Sequence, residues 1–226
     1  MSLSMVISVL LSPLFAFLIY LYVRYRYKEG KFTLFYQSFF GGIISVIIPV
    51  CFFGAVYLAG YAELGSLRRI LFYSFVVIGF SQELGKFLVL RFMVLPSKYF
   101  RGPSDGILYS LMINFGSMSL ITLISFIFFK ELEISIIIYS IFISVVFATL
   151  LGFFVGLGKA RHNLIVDSIT GFFAAAFFHG SFQFIIQTND MILLFAFITG
   201  SIIITLLLVY KAVLISDQIK KNKSIL

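Results

Sequence analysis

Apolar residues run along this chain in seven long stretches, roughly 4–23, 35–60, 70–95, 106–129, 134–157, 164–187 and 189–210. A helix needs about 20 mostly apolar residues to cross the hydrocarbon core of a bilayer, so each stretch predicts one membrane span. A transmembrane β-barrel would instead show roughly ten-residue segments of alternating polarity, whereas Met191 to Ile198 is apolar at every position. The pattern therefore predicts an all-α fold, a multi-pass membrane helical bundle of about seven transmembrane helices. Its connections are too short to hold a soluble domain.

Composition strengthens that reading. Of 226 residues, 61% are hydrophobic and 12% charged, and the mean hydropathy is +1.11, outside the range of soluble globular domains. No repeat, linker or low-complexity tract divides the chain, which predicts a single integral-membrane domain over 1–226, with a short, basic, mobile cytoplasmic tail at 215–226. The single cysteine, Cys51, excludes an intramolecular disulfide and reads as a small buried hydrophobe. The first apolar segment has no positive residue before it and is followed by Arg24, Arg26, Lys28 and Lys31, so it is expected to be a retained anchor with its N-terminus outside.

Positive charge sets the expected orientation, because Lys and Arg accumulate on the cytoplasmic side. One face takes the four residues just named, Lys98, Arg101, Lys159, Arg161, Lys211, Lys220, Lys221 and Lys223. The other takes only Arg68, Arg69 and Lys130, beside Glu63, Glu131, Glu133 and Asp190. This asymmetry predicts N-out, C-in. Membrane lipids are then the partners implied by the net charge of +8, and nucleic acid is excluded for want of a groove-reading basic surface. Lys86 and Arg91 stand apart, inside the third span.

Ionisable residues at hydrocarbon depth are costly and mark candidate functional sites. Gln82-Glu83-Leu84-Gly85-Lys86 lies within the third stretch, and Glu83 and Lys86, three apart, share a helical face. The spacing admits two readings, an ion pair that locks helix packing and a carboxylate held for acid/base chemistry. His179-Gly180-Ser181-Phe182-Gln183 puts His179 and Gln183 one turn apart in the sixth stretch, with His179 either a hydrogen-bonded core residue or a ligand. Asp105 precedes the fourth span, where a carboxylate caps a helix N-terminus. His162 and Asp167 read as interfacial, with Asp167 balancing Lys159 or Arg161, while Asn114, Ser117 and Ser119 read as helix-packing residues.

Taken in order, Gly79-Phe80-Ser81-Gln82-Glu83-Leu84-Gly85-Lys86, Ser104-Asp105-Gly106-Ile107-Leu108-Tyr109, Leu157-Gly158-Lys159-Ala160-Arg161 and His179-Gly180-Ser181-Phe182 resemble the PrsW-type intramembrane proteases. Ser12-Pro13 and Ser38-Phe39-Phe40-Gly41-Gly42 extend the resemblance over nearly the whole chain. It implies a multi-pass protein of the bacterial inner (cytoplasmic) membrane, distantly related to the intramembrane CAAX-type proteases. Its implied partner and substrate is a single-span membrane protein such as an anti-sigma factor. The implied catalytic residues are Glu83, His179 and Lys86, with Gln82, Asp105, Gln183 and Ser119 in supporting positions. The chain departs from the family pattern where Gln82 replaces the first of two adjacent glutamates and where Asn114 to Leu120 aligns with a Gly-Phe-Ala-x-x-Glu-Asn motif, placing Ser119 at its glutamate. It departs again at Val146, in place of a histidine, and at Gln183, in place of an aspartate.

Hydrolysis in a membrane needs an activated water, an acid for the leaving amine and a stabilised oxyanion. The sequence specifies no cofactor. For a divalent metal it offers Glu83 and His179 but no third good ligand at that depth, where catalytic zinc typically takes three. Three readings stay open: an intramembrane endopeptidase with a simplified site, a relative that binds transmembrane segments with weak or no peptidase activity, and a small-solute transporter or channel. The orientation is tested separately. An alkaline-phosphatase fusion after Leu226 is expected to be inactive and a fusion in the Arg68–Arg69 loop active; the opposite pattern overturns N-out, C-in.

Overall fold

The computed structural model describes residues 3–26, 32–61, 65–128 and 134–224. Among these the chain is helical, without strands, and forms a membrane helical bundle. Helix α1 spans Leu3–Arg26, α2 Phe32–Ser45 and α3 Ile47–Leu58. The third stretch is a composite of α4 (Leu67–Phe72), a wide-turn π segment (Tyr73–Phe80), α5 (Ser81–Val89) and a second π segment (Leu90–Val94). Next in the chain are α6 (Pro103–Phe128), α7 (Ile134–Arg161), α8 (Leu164–Thr188) and α9 (Met191–Ser224).

Five helical runs are long and apolar enough to cross a membrane by length and composition: Phe32–Leu58, Pro103–Phe128, Ser135–Arg161, Leu164–Thr188 and Met191–Ile219, beside the shorter apolar Val9–Tyr25. The composite third stretch carries Arg68, Arg69, Glu83, Lys86 and Arg91, so its passage through the bundle depends on what its neighbours offer those charges. Local sequence explains three of the helix ends. Ser66 caps α4 by accepting from the Arg69 N–H at 3.4 Å. Asn189 closes α8 in the left-handed conformation, φ 55°. Asp190 then caps α9, its Oδ1 accepting from the Leu193 N–H at 3.0 Å, so two residues turn the chain between antiparallel helices.

Helices α6 and α7 form the centre, with α8 packed on α7, α2 on α6, and the π segment Tyr73–Phe80 on α8. In a bilayer, lipid tails are as apolar as Leu, so helix association relies on close packing of small residues. Gly42 shows the device: a Cβ there would lie on the Ile113 carbonyl, with the Ile113 Cα at 3.0 Å. Between α2 and α3 the chain kinks at Val46, because Pro49 has no N–H to offer the Ser45 carbonyl.

Several expectations change. Cys51 is exposed rather than buried, since α3 beyond the kink buries none of its residues. Helix α9 continues to Ser224, and the Ser104 and Ser216 hydroxyls lie 2.7 Å apart. Asp167 does not balance Lys159: one of its carboxylate oxygens, Oδ2, is buried without a hydrogen-bond partner among the described residues. The Lys159 ammonium instead donates to the Leu95 and Ser97 carbonyls at 2.6 and 3.1 Å, capping the end of the third stretch. Lys28, Lys31, Glu63, Lys130, Glu131 and Glu133 lie outside the described residues.

The packing yields a paired test. Gly42→Val should lower the detergent melting temperature by the equivalent of about 1–3 kcal/mol, the usual cost of overpacking. Gly54→Ala, where a Cβ meets nothing within 4 Å, should leave it unchanged; equal effects from both would contradict the α2–α6 interface.

Candidate functional site

The pentad Gln82 to Lys86 occupies α5, bracketed by the two π segments. A π turn widens the helix and rotates the turns beyond it, and such segments recur at functional sites. Ser81, at the junction, donates its hydroxyl proton to the Val77 carbonyl. Close approach to α8 is secured by glycine: a Cβ on Gly79 would lie 2.7 Å from both the Ala176 carbonyl oxygen and the Gly180 nitrogen. Glu83 stands one turn after Gly79, and His179 is the neighbour of Gly180. This backbone contact is what brings the two side chains into reach.

The structure brings Glu83, Lys86 and His179 together. Glu83 Oε1 is shared between the Lys86 ammonium, an i,i+3 ion pair on one face of α5, and His179 Nδ1 at 2.8 Å. Glu83 is 0% and Lys86 1% exposed. The His179 ring stacks on Phe147 of α7, centroids 4.6 Å apart and planes 18° apart, which holds the imidazole edge toward the carboxylate. With Glu83 as carboxylate, Nδ1–H is the donor and a neutral imidazole keeps its lone pair on Nε2.

The network reaches further than the sequence showed. The Lys86 ammonium donates to Asn114 Oδ1 on α6 at 3.2 Å, Asn114 Nδ2 donates to Ser144 Oγ on α7 at 2.7 Å, and Ser144 Oγ donates to the Ile141 carbonyl at 2.7 Å. Asn114 and Ser144 are thus members of the polar centre, not packing residues. Asn114 was findable as the one amide at mid-depth of the fourth span. Ser144 was not, because serine is an unremarkable component of membrane helices.

The supporting positions fare differently. Ser119 donates to the Phe115 carbonyl of its own helix at 2.6 Å. Asp105 Oδ2 accepts from the Arg101 N–H at 2.9 Å, near the start of α6, roughly 14 Å along the axis from Asn114 at 1.5 Å per residue. Gln82 and Gln183 are half-buried and give no hydrogen bond to the network among the described residues. Val146 is buried among apolar neighbours, next to the stacked Phe147.

A divalent metal does not fit these residues. No group of three His, Cys, Asp or Glu is close enough to hold one among the described residues. Glu83 Oε2 is the one buried atom of the centre with no partner among the described residues.

Removing one partner of a buried ion pair costs about 3–5 kcal/mol because the other charge is stranded. Glu83→Gln is therefore expected to lower the melting temperature more than the double variant Glu83→Gln/Lys86→Met. A double variant less stable than the single one would contradict the pairing.

Comparison with known proteins gives no match among curated proteins and none among solved structures. One family model does match, over residues 30–215, and its description is PrsW family intramembrane metalloprotease. That match covers the composite third stretch, the polar centre on α5 to α8 and most of α9, and the chain belongs to the PrsW family of intramembrane proteases.

Proposed function

We propose that this protein recognises a transmembrane segment of a single-span protein, such as an anti-sigma factor, in the bacterial cytoplasmic membrane, with weak or no peptide-bond hydrolysis. Its seven stretches then span the membrane N-out, C-in as one domain, with α9 ending in the cytoplasm. The observation that carries this reading is the occupation of Glu83: its Oε1 already holds the Lys86 ammonium and His179 Nδ1. That oxygen is already engaged twice as an acceptor. Gln82, Ser119, Val146 and Gln183 supply no second ionisable group beside it.

Residual acid/base chemistry is the second reading, favoured by the unpartnered Glu83 Oε2. That oxygen is the one place where the centre offers an unused acceptor. His179, oriented by Glu83 and Phe147, would carry the proton. A transporter is less well supported, because Glu83, Lys86, His179, Asn114 and Ser144 bond to one another instead of standing open along a path.

Co-expression with candidate single-span proteins decides between these readings. Capture of a partner by site-specific photocross-linking from α5 or α8, with no shorter product on immunoblots, is expected. Product formation abolished by Glu83→Gln establishes the second reading, and restoring Gln82→Glu, Ser119→Glu, Val146→His and Gln183→Asp together is expected to raise any cleavage.

A further inference from the structure

The membrane-embedded ammonium of Lys86 needs more partners than Glu83 alone supplies. An ammonium has three N–H donors. One is directed to Glu83 Oε1 and a second to Asn114 Oδ1 at 3.2 Å. Asn114 can present its oxygen to Lys86 only while its amide nitrogen finds an acceptor, and Ser144 Oγ provides that at 2.7 Å. Ser144 in turn discharges its own proton onto the Ile141 carbonyl. Every donor in this relay points away from Lys86, so the amide orientation and the polarity of the chain are set together. Lys86, Asn114 and Ser144 are all buried.

We propose that Asn114 and Ser144 are positioning residues that seat the Lys86 ammonium as the resident cation of this centre, in the role a divalent metal would otherwise fill. The ammonium neutralises Glu83 at contact distance. A metal ion bound to either oxygen of that carboxylate would stand within a few ångströms of Nζ, and like charges repel strongly where the local dielectric is low. The third protein ligand that a metal needs is absent among the described residues, while the second oxygen that an ammonium needs is supplied by Asn114. The seating holds whether or not the chain cuts peptide bonds, because it concerns only what cation the centre holds.

Two measurements test it. The unmodified protein, purified in detergent without chelator and then titrated with Co²⁺, is expected to retain no stoichiometric metal by mass spectrometry, to develop no visible Co²⁺ absorption band, and to melt at the same temperature with and without EDTA. One equivalent of metal that is lost in Glu83→Gln would overturn the proposal. The seating itself is read from a double-mutant cycle: Asn114→Leu and Lys86→Met together are expected to shift the melting temperature by less than the sum of the two single shifts, since each removes the same hydrogen bond. Additive shifts would overturn the role of Asn114. Should Lys86→Met not fold, the metal measurement on the unmodified chain still decides whether the centre is a metal site.

Discussion

A carboxylate and an ammonium buried in a membrane bundle each cost several kcal/mol in lost solvation, and the Glu83–Lys86 pair makes the surrounding architecture answer that cost. Pairing alone leaves valences unfilled on both groups. His179 from α8 takes a share of Glu83 Oε1, and Asn114 from α6, backed by Ser144 from α7, takes a donor of Lys86. Four helical elements are thereby tied through one polar layer. Hydrogen bonds to charged groups in such surroundings are stronger than neutral ones, so this layer fixes helix rotation in a way that Leu and Phe packing does not.

Two backbone features make the layer reachable. The π segments on either side of α5 alter the rotation of that helix relative to a regular one. Glycines let main chains touch: Gly79 against α8, and Gly85, where the carbonyl freed by Pro49 faces α5 and a Cβ would meet Ser45 Cβ at 3.3 Å. The resulting centre is nearly saturated. Within it, among the described residues, only Glu83 Oε2 remains without a partner, one open acceptor in an otherwise closed network.

The position of Asn114 links the family pattern to this chain's own chemistry. By the motif alignment it stands where the family's fourth-span motif has glycine, while Ser119 and Val146 stand where a glutamate and a histidine are expected. In this chain α6 and α7 contribute the neutral Asn114 and Ser144, and Asn114 accepts from the Lys86 ammonium. Ser119 bonds to its own helix backbone, and Val146 lies in the apolar core.

Hydropathy and charge placement were enough to read the all-helical membrane architecture, because the need for about 20 apolar residues and for internal satisfaction of backbone polar groups acts on each segment separately. The pentad and His179 were legible as a candidate site for the same reason: a charge at that depth is conspicuous in one dimension. The π turns, the outward Cys51, the Lys159 cap on the third stretch and the Asn114–Ser144 relay were not legible, since each depends on which faces of separate helices meet. Sequence determined that Glu83 and Lys86 needed partners. Sequence also grouped His179 with them, whereas only the tertiary packing decided that Lys86 would find Asn114, because hydrogen-bond partners are chosen by helix rotation and close approach, which residue order does not encode locally.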